Sequence, residues 1–208
     1  MTAGPGRAAE EPALYVGVLA VQGDFEAHRR MLESLGAQVS EVRAAEHLAD
    51  LDGLVIPGGE STTISMGMER DGLDEAVRSF HRGGGPILGS CAGMIVCDRG
   101  HLGLTDYVCR RNAFGRQRQS FEQDLLIEGL GDEPLRAVFI RAPWVEERGP
   151  GVEVLAEVDG HPVAVREGSV LAVAFHAELT DDSRLHATFM AMCTAARRPR
   201  TRSRGGAA

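Results

Sequence analysis

Pro86-Ile87-Leu88-Gly89-Ser90-Cys91-Ala92-Gly93 carries an apolar run straight into a cysteine framed by glycines. The Gly-x-Cys-x-Gly pattern is the cysteine form of the strand-to-helix elbow, in which a tight turn lifts a nucleophile above a sheet edge and small neighbours keep it open. An elbow needs a strand before it and a helix after it. The chain is therefore read as an α/β protein, with Cys91 at a helix N-terminus where unpaired N–H groups favour the thiolate.

Outward from the elbow, apolar strands alternate with helical stretches. Residues 14–21 read as a buried first strand and 25–35 as a helix with apolar Phe25, Met31, Leu32 and Leu35. Strands follow over 38–42 and 53–56, helices over 61–70 and 73–82, and the elbow strand over 86–89. Pro57-Gly58-Gly59 and Gly83-Gly84-Gly85 punctuate them. The second half offers strands over 107–110, 135–141, 152–158, 162–166 and 170–175, and a helix over 181–196 capped by Thr180 or Asp181. Continuous apolar strands between helices imply a mostly parallel (mixed) central sheet covered on both faces, a single three-layer α/β domain over 14–196. Residues 1–13 read as a flexible N-terminal extension and 197–208 as a disordered Arg-rich tail.

In such sheets ligands bind beyond the carboxyl ends of the strands. Gly23, Gly58-Gly59 and Cys91 all fall at that edge. Ala174-Phe175-His176-Ala177-Glu178-Leu179 ends a later apolar strand with a base and a carboxylate two residues apart, on one face if the segment stays extended. His176 can take the proton of Cys91 and later return it to a leaving amine, and Glu178 can hold the other ring nitrogen. The N–H of Ala92 is placed for a developing oxyanion. Each residue alone is unremarkable; the conjunction points to thiolate catalysis. The loop Pro57-Gly58-Gly59-Glu60-Ser61-Thr62 carries an acid and no base, so it is a poor phosphate cradle and a better source of a second oxyanion N–H, from Gly58 or Gly59.

Composition narrows the classes further. At 208 residues and 43% hydrophobic the chain can bury a substantial core, and no apolar run approaches a membrane span or a signal peptide, so a cytoplasmic protein is expected. Cys97, Cys109 and Cys193 lack metal spacing and sit as buried filler, so reduced thiols and no metal are expected. Five positive charges of the net −8 lie in the tail, leaving −13 on the remainder, which argues against a nucleic-acid partner. All 22 basic residues are arginine. Imine chemistry through a lysine side chain is therefore closed to this polypeptide.

Val21-Gln22-Gly23, the Pro57-to-Thr63 loop, the elbow, His101-Leu102-Gly103-Leu104, Arg111-Asn112-Ala113-Phe114-Gly115-Arg116-Gln117, Phe139-Ile140-Arg141-Ala142-Pro143 and Phe175 through Asp182 occur in one order. Together they resemble the glutaminase subunits of pyridoxal 5′-phosphate synthase, a branch of the class I triad glutamine amidotransferases. The resemblance implies a flavodoxin-like sheet and hydrolysis of L-glutamine to L-glutamate and ammonia. The ammonia would pass to a (β/α)-barrel synthase subunit in a large hetero-oligomer for vitamin B6 biosynthesis, with no cofactor on this chain. It implies a triad of Cys91, His176 and Glu178, an oxyanion site at Gly59 and Ala92, and glutamine contacts at Gly59, Glu60, Ser61, Arg111, Ile140 and Arg141. It also implies low activity alone and activation when the synthase docks.

The residue types suit a free amino acid, whose ammonium needs an acid or carbonyl oxygen and whose carboxylate needs arginine or backbone N–H. The chain departs from the family in having Ala177 where proline is usual, a shorter segment between Cys91 and His101, and Trp144 where histidine is frequent. Two alternatives stand beside this reading: another cysteine hydrolase on the same sheet, and a non-catalytic regulatory subunit that kept the fold.

Overall fold

The computed structural model describes residues 12–115 and 119–197. In chain order the elements are β1 (Tyr15–Leu19), α1 (Phe25–Ser34), β2 (Gln38–Val42), β3 (Gly53–Ile56), α2 (Ser61–Arg70), α3 (Leu73–Arg82), β4 (Ile87–Ser90) and α4 (Ala92–Cys97). They continue with β5 (Tyr107–Arg110), β6 (Ser120–Leu125), β7 (Leu135–Ile140), β8 (Trp144–Arg148), β9 (Glu153–Val158), β10 (His161–Glu167), β11 (Val170–Val173) and α5 (Arg184–Ala196).

Seven strands form the central sheet in the order β2-β1-β3-β4-β11-β10-β9. The first five pair in parallel, and β11, β10 and β9 pair antiparallel, so the sheet is mixed as expected. The run β2-β1-β3-β4-β11 is the doubly wound order in which the chain reverses direction across the sheet beside β1, opening a crevice at the carboxyl ends of the strands. Every position of β3, β4 and β11 is buried, which is why these strands read as unbroken apolar runs. Helix α1 packs against α5, and α2 against α3 and α4. No helix among the described residues is long and apolar enough to cross a membrane.

Two antiparallel ribbons stand apart from this sheet, β5 with β8 and β6 with β7. Neither β6 nor β8 is expected from the sequence. Strand β6 alternates exposed Glu122 and Asp124 with inward Phe121 and Gln123, and β8 follows Pro143 with exposed Glu146, Glu147 and Arg148, so neither shows an apolar run. Phe121 stacks on Phe139 at 4.6 Å between ring centroids, while Phe114 meets Phe121, Phe139 and Trp144 edge-on. That aromatic cluster joins the ribbons to the main core through Phe175, 5.6 Å from Phe139.

Three expectations need correction. Helix α5 begins at Arg184, not near Asp181, and neither Thr180 nor Asp181 caps it; Asp182 Oδ1 instead accepts the Arg184 N–H at 3.0 Å. The segment after β11 does not stay extended through Glu178: a 3₁₀ turn spans Ala177–Leu179. Arg197, counted with the tail, is anchored, its guanidinium donating to the carbonyls of Pro12 and Ala13 and lying 3.3 Å from Asp52. The rest of the extension and tail, 1–11 and 198–208, and Arg116 and Gln117 lie outside the described residues.

Candidate active site

Cys91 sits between β4 and α4 with φ 50° and ψ −105°, in the left-handed half of backbone space that a side chain occupies only under constraint. Its N–H donates to Val173 O at 2.8 Å, tying the elbow to β11. The flanking glycines allow the close approach of helix to strand. A Cβ on Gly89 would lie 2.8 Å from Gly93 O, and one on Gly93 would lie 2.9 Å from the carbonyl carbon of Ile56. Helix α4 has only six residues, so its contribution is unpaired N–H groups at the turn rather than a long dipole. Ala92 N–H makes no hydrogen bond among the described residues. Cys91 Sγ lies 3.9 Å from Ile140 O.

The 3₁₀ turn, although unforeseen, brings base and carboxylate together: His176 Nδ1 is 2.7 Å from Glu178 Oε1. His176 N–H donates to Val138 O at 2.8 Å, so β7 fixes the approach of the turn. Glu178 is buried, and its Oε2 lies 3.0 Å from the Ser90 hydroxyl and 3.3 Å from His28 Nε2. Burial alone would raise the Glu178 carboxyl, but the interaction with His28 and the hydrogen bond and charge of His176 outweigh it and hold the group down at about 2. Burial likewise pushes His176 down, yet its bonds to Cys91 and Glu178 and their charges win and lift it to about 10. His176 is therefore held as the imidazolium through neutral pH, a proton donor beside Cys91. Burial and Asp98 push up Cys97 and Cys109, and burial and Asp52 push Cys193 up to about 12.

The loop after β3 forms the opposite wall. Buried Gly58 packs on the imidazole, where a Cβ would lie 2.5 Å from His176 Cε1 and 3.4 Å from Cys91 Cβ. Gly59 has φ +144°, which L side chains rarely adopt, and Gln22 Oε1 accepts the following Glu60 N–H at 3.2 Å. Glu60 caps α2: its carboxylate accepts from the N–H groups of Thr62 and Thr63 and pairs with Arg111 Nη2 at 2.7 Å. Those bonds, from Thr63 above all, hold its carboxyl at about 2.

A cleft of about 340 Å³ opens among these parts. The sequence-derived site residues Gly59, Glu60, Ser61, Cys91, Ala92, Arg111, Ile140, Arg141 and His176 all line it, and Glu178 stands behind His176. Ser61 lines the cleft, and its Oγ is buried without a hydrogen-bond partner among the described residues. Cys91, Asn112 and Arg141, three of the non-glycine residues with positive φ, meet in this cleft, as strain stored at functional sites does. Sequence reasoning missed Gln22, Ile95, Asn112 and Pro143 as lining, and His28 and Ser90 beside Glu178. Gln22, Asn112 and Pro143 lie within the motifs that carry the family resemblance, whereas nothing local marks His28.

The family departures have visible accommodations. Ala177 is buried within the turn and leaves the 2.7 Å His176–Glu178 contact in place. The short segment after α4 is folded around Asp98, whose carboxylate accepts from Gly100 N–H and Cys109 N–H and meets His101 Nδ1. Trp144 stacks on His161 at 3.7 Å between centroids.

A doubly wound α/β sheet with a strained cysteine elbow and an ordered His–Glu pair defines a triad-type cysteine hydrolase or amidotransferase. The chain belongs to the SNO glutamine amidotransferase family, which it matches over residues 18–195. It is 52% identical over 189 residues to a protein of Niallia circulans named pyridoxal 5′-phosphate synthase subunit PdxT, covering 88% of this chain and 99% of that one. It is 53% identical over 184 residues to the protein of that name from Frankia alni, covering 84% and 92%. A crystal structure described as a glutamine amidotransferase superposes with a TM-score of 0.81 at 46% identity, covering 86% of this chain and 98% of that one. A putative GMP synthase subunit from Thermoplasma acidophilum, at 17% identity and a TM-score of 0.68 over 89% of this chain and 96% of that one, shares the fold.

Proposed function

We propose that this chain is the glutaminase subunit of a pyridoxal 5′-phosphate synthase, hydrolysing L-glutamine and delivering ammonia to a (β/α)-barrel synthase subunit in a hetero-oligomer. The observation that carries this reading is one alignment: a strained Cys91 paired with His176, itself 2.7 Å from buried Glu178, opening on a cleft with an acid and two arginines. The names borne by relatives about 50% identical along nearly their whole length support the synthase assignment.

In this mechanism glutamine enters with its α-amino and α-carboxylate groups toward Glu60 and Arg111 and its side-chain amide toward Cys91. The Cys91 thiolate attacks the amide carbon, and the N–H groups of Ala92 and Gly59 receive the oxyanion. His176 gives its proton to the nitrogen, the carbon–nitrogen bond breaks, and ammonia leaves a glutamyl thioester on Cys91. Neutral His176 then takes a proton from water as its oxygen attacks the thioester, releasing glutamate and restoring the thiolate–imidazolium pair. Glu178 stays ionised throughout and holds the imidazole. Docking of the synthase raises the rate by completing the oxyanion site at Gly58-Gly59, a shift toward a binding-competent loop conformation.

The test is product analysis with the purified chain, alone and with its synthase, against glutamine, asparagine and small peptide amides. Release of glutamate from glutamine alone, rising with synthase, supports the assignment. Equal turnover of unrelated amides, or peptide cleavage, assigns a different cysteine hydrolase.

A further inference from the structure

Glu178 has two oxygens, and the triad uses one. The other, Oε2, faces two histidines from distant parts of the chain: His28 on α1, with Nε2 at 3.3 Å, and behind it His186 on α5, whose Nε2 is 2.9 Å from His28 Nδ1. Both are fully buried, with rings 5.1 Å apart. Apolar side chains would fill this space without desolvating four ring nitrogens, and buried polar groups without a role are costly.

The proton positions follow from chemistry. An ionised carboxylate only accepts, so a bare ring nitrogen 3.3 Å from Oε2 would repel it and a protonated one attracts it. His28 Nε2 makes no hydrogen bond of good geometry among the described residues, and Glu178 Oε2, 3.3 Å away, is the acceptor beside it toward which a small turn of the ring would aim its N–H. With Nε2 protonated, a neutral His28 presents a bare Nδ1, which must accept from His186 Nε2–H. That leaves His186 Nδ1 bare, and it is the His186 atom without a partner. Burial, the largest influence on each ring, lowers both from their ordinary values and His186 to about 3, in spite of the nearby Glu178 charge. The other charges acting on His28 come from His176, which opposes protonation, and Asp24 at the N-cap of α1, which favours it.

We propose that His28 and His186 form a neutral, ordered imidazole relay behind the triad, and that His28 is a positioning residue holding Glu178 ionised and aimed at His176. This deepens the glutaminase reading and rests on it. A neutral donor suits the place: it offers Glu178 Oε2 an N–H dipole without a positive charge, while Oε1 keeps its 2.7 Å contact with His176 Nδ1. It also explains why three separated elements, α1, the 3₁₀ turn and α5, converge through polar atoms at the back of the site.

The experiment compares His28→Leu and His28→Gln in the complex with synthase, measuring kcat, KM, the pH profile of kcat and Tm. Removing a donor from a buried carboxylate predicts a fall in kcat of about 10- to 100-fold in His28→Leu. KM should stay within about twofold, and the acidic limb should move to higher pH because Glu178 is less well held ionised. His28→Gln, whose side-chain amide keeps a donor toward Oε2, should recover most of the loss. A folded His28→Leu protein with unchanged kcat and acidic limb overturns the proposal, as does equal impairment of both variants with an unmoved limb. Should the leucine variant not fold, nitrogen-15 imidazole spectra of the wild-type chain decide it. Neutral Nε2–H rings at His28 and His186 across pH about 5.5–8 support the relay, and a bare Nε2 on His28 overturns it. An inactive wild-type complex would instead refute the glutaminase reading and leave the spectra to judge the relay.

Discussion

Gly58→Ala asks whether the wall of the site positions the base. Gly58 is buried, and its φ is not among the positive values, so glycine is not required there by backbone conformation. It is required by space: the added methyl would lie 2.5 Å from His176 Cε1 and 3.1 Å from Nδ1. Carbon atoms in contact rest at about 3.5–4.0 Å, so ring or loop must yield by about 1 Å. Because Nδ1 is tied to Glu178 and the backbone N–H to Val138 O, the ring yields by tilting away from Cys91. A misplacement of about 1 Å costs roughly 100-fold in rate, or about 2.7 kcal/mol of barrier. Overpacking should cost about 1–3 kcal/mol of stability, leaving the variant folded. Steady-state glutaminase assays with synthase, alongside urea unfolding, measure both. A kcat within about threefold of wild type, in a folded protein, refutes the claim that Gly58 sets the imidazole position.

Arg111→Gln removes a charge-assisted donor worth about 1.5–3 kcal/mol, so KM for glutamine should rise roughly 10- to 100-fold with kcat less affected; an unchanged KM would remove Arg111 from the glutamine site. Phe139→Ala empties the centre of the aromatic cluster and should cost about 3–5 kcal/mol in urea unfolding; a cost below about 1 kcal/mol would mean that the ribbons do not share the main core. Stability should peak near neutrality. As pH falls below 6.5 the unfolded chain protonates His28 and His186, which the fold keeps neutral, and between 4.5 and about 2 it protonates Glu178, which the fold keeps ionised. As pH rises from 6.5 through about 10 the fold must give up the His176 proton that it holds and the unfolded chain does not. Urea midpoints across pH 4–10 read this curve, and a midpoint that climbs on acidification from pH 7 to 5 would contradict it.

How far the chain could be read depended on whether a signal was local. Strands β2 and β3 and helices α2 and α3 have the expected bounds because glycines punctuate them: Gly36 before β2, Pro57-Gly58-Gly59 after β3, Gly72 between the helices and Gly83-Gly84-Gly85 after α3. The elbow was legible for the same reason. Strands β6 and β8 were not, because neither carries an apolar run: β6 alternates single inward residues with charges, and β8, most of it charged, pairs with the distant β5. The His176–Glu178 contact was anticipated on an extended backbone and is made instead across a 3₁₀ turn, whose formation depends on support from β7 and from Ser90. His28 and His186 carried no signal at all. Each is a lone histidine within a helix pattern, and only the packing of α1 against α5 brings them behind Glu178.

In the proposed mechanism the thiolate of Cys91, driven by His176 and Glu178, opens the glutamine side-chain amide. The most direct measurement is glutamate release from glutamine by the chain with its synthase, beside Cys91→Ala and with the mass of the Cys91 peptide read after rapid quench. Turnover should vanish in the variant, with a glutamyl adduct on Cys91 alone. Turnover that survives Cys91→Ala, or an adduct on another cysteine, would contradict it.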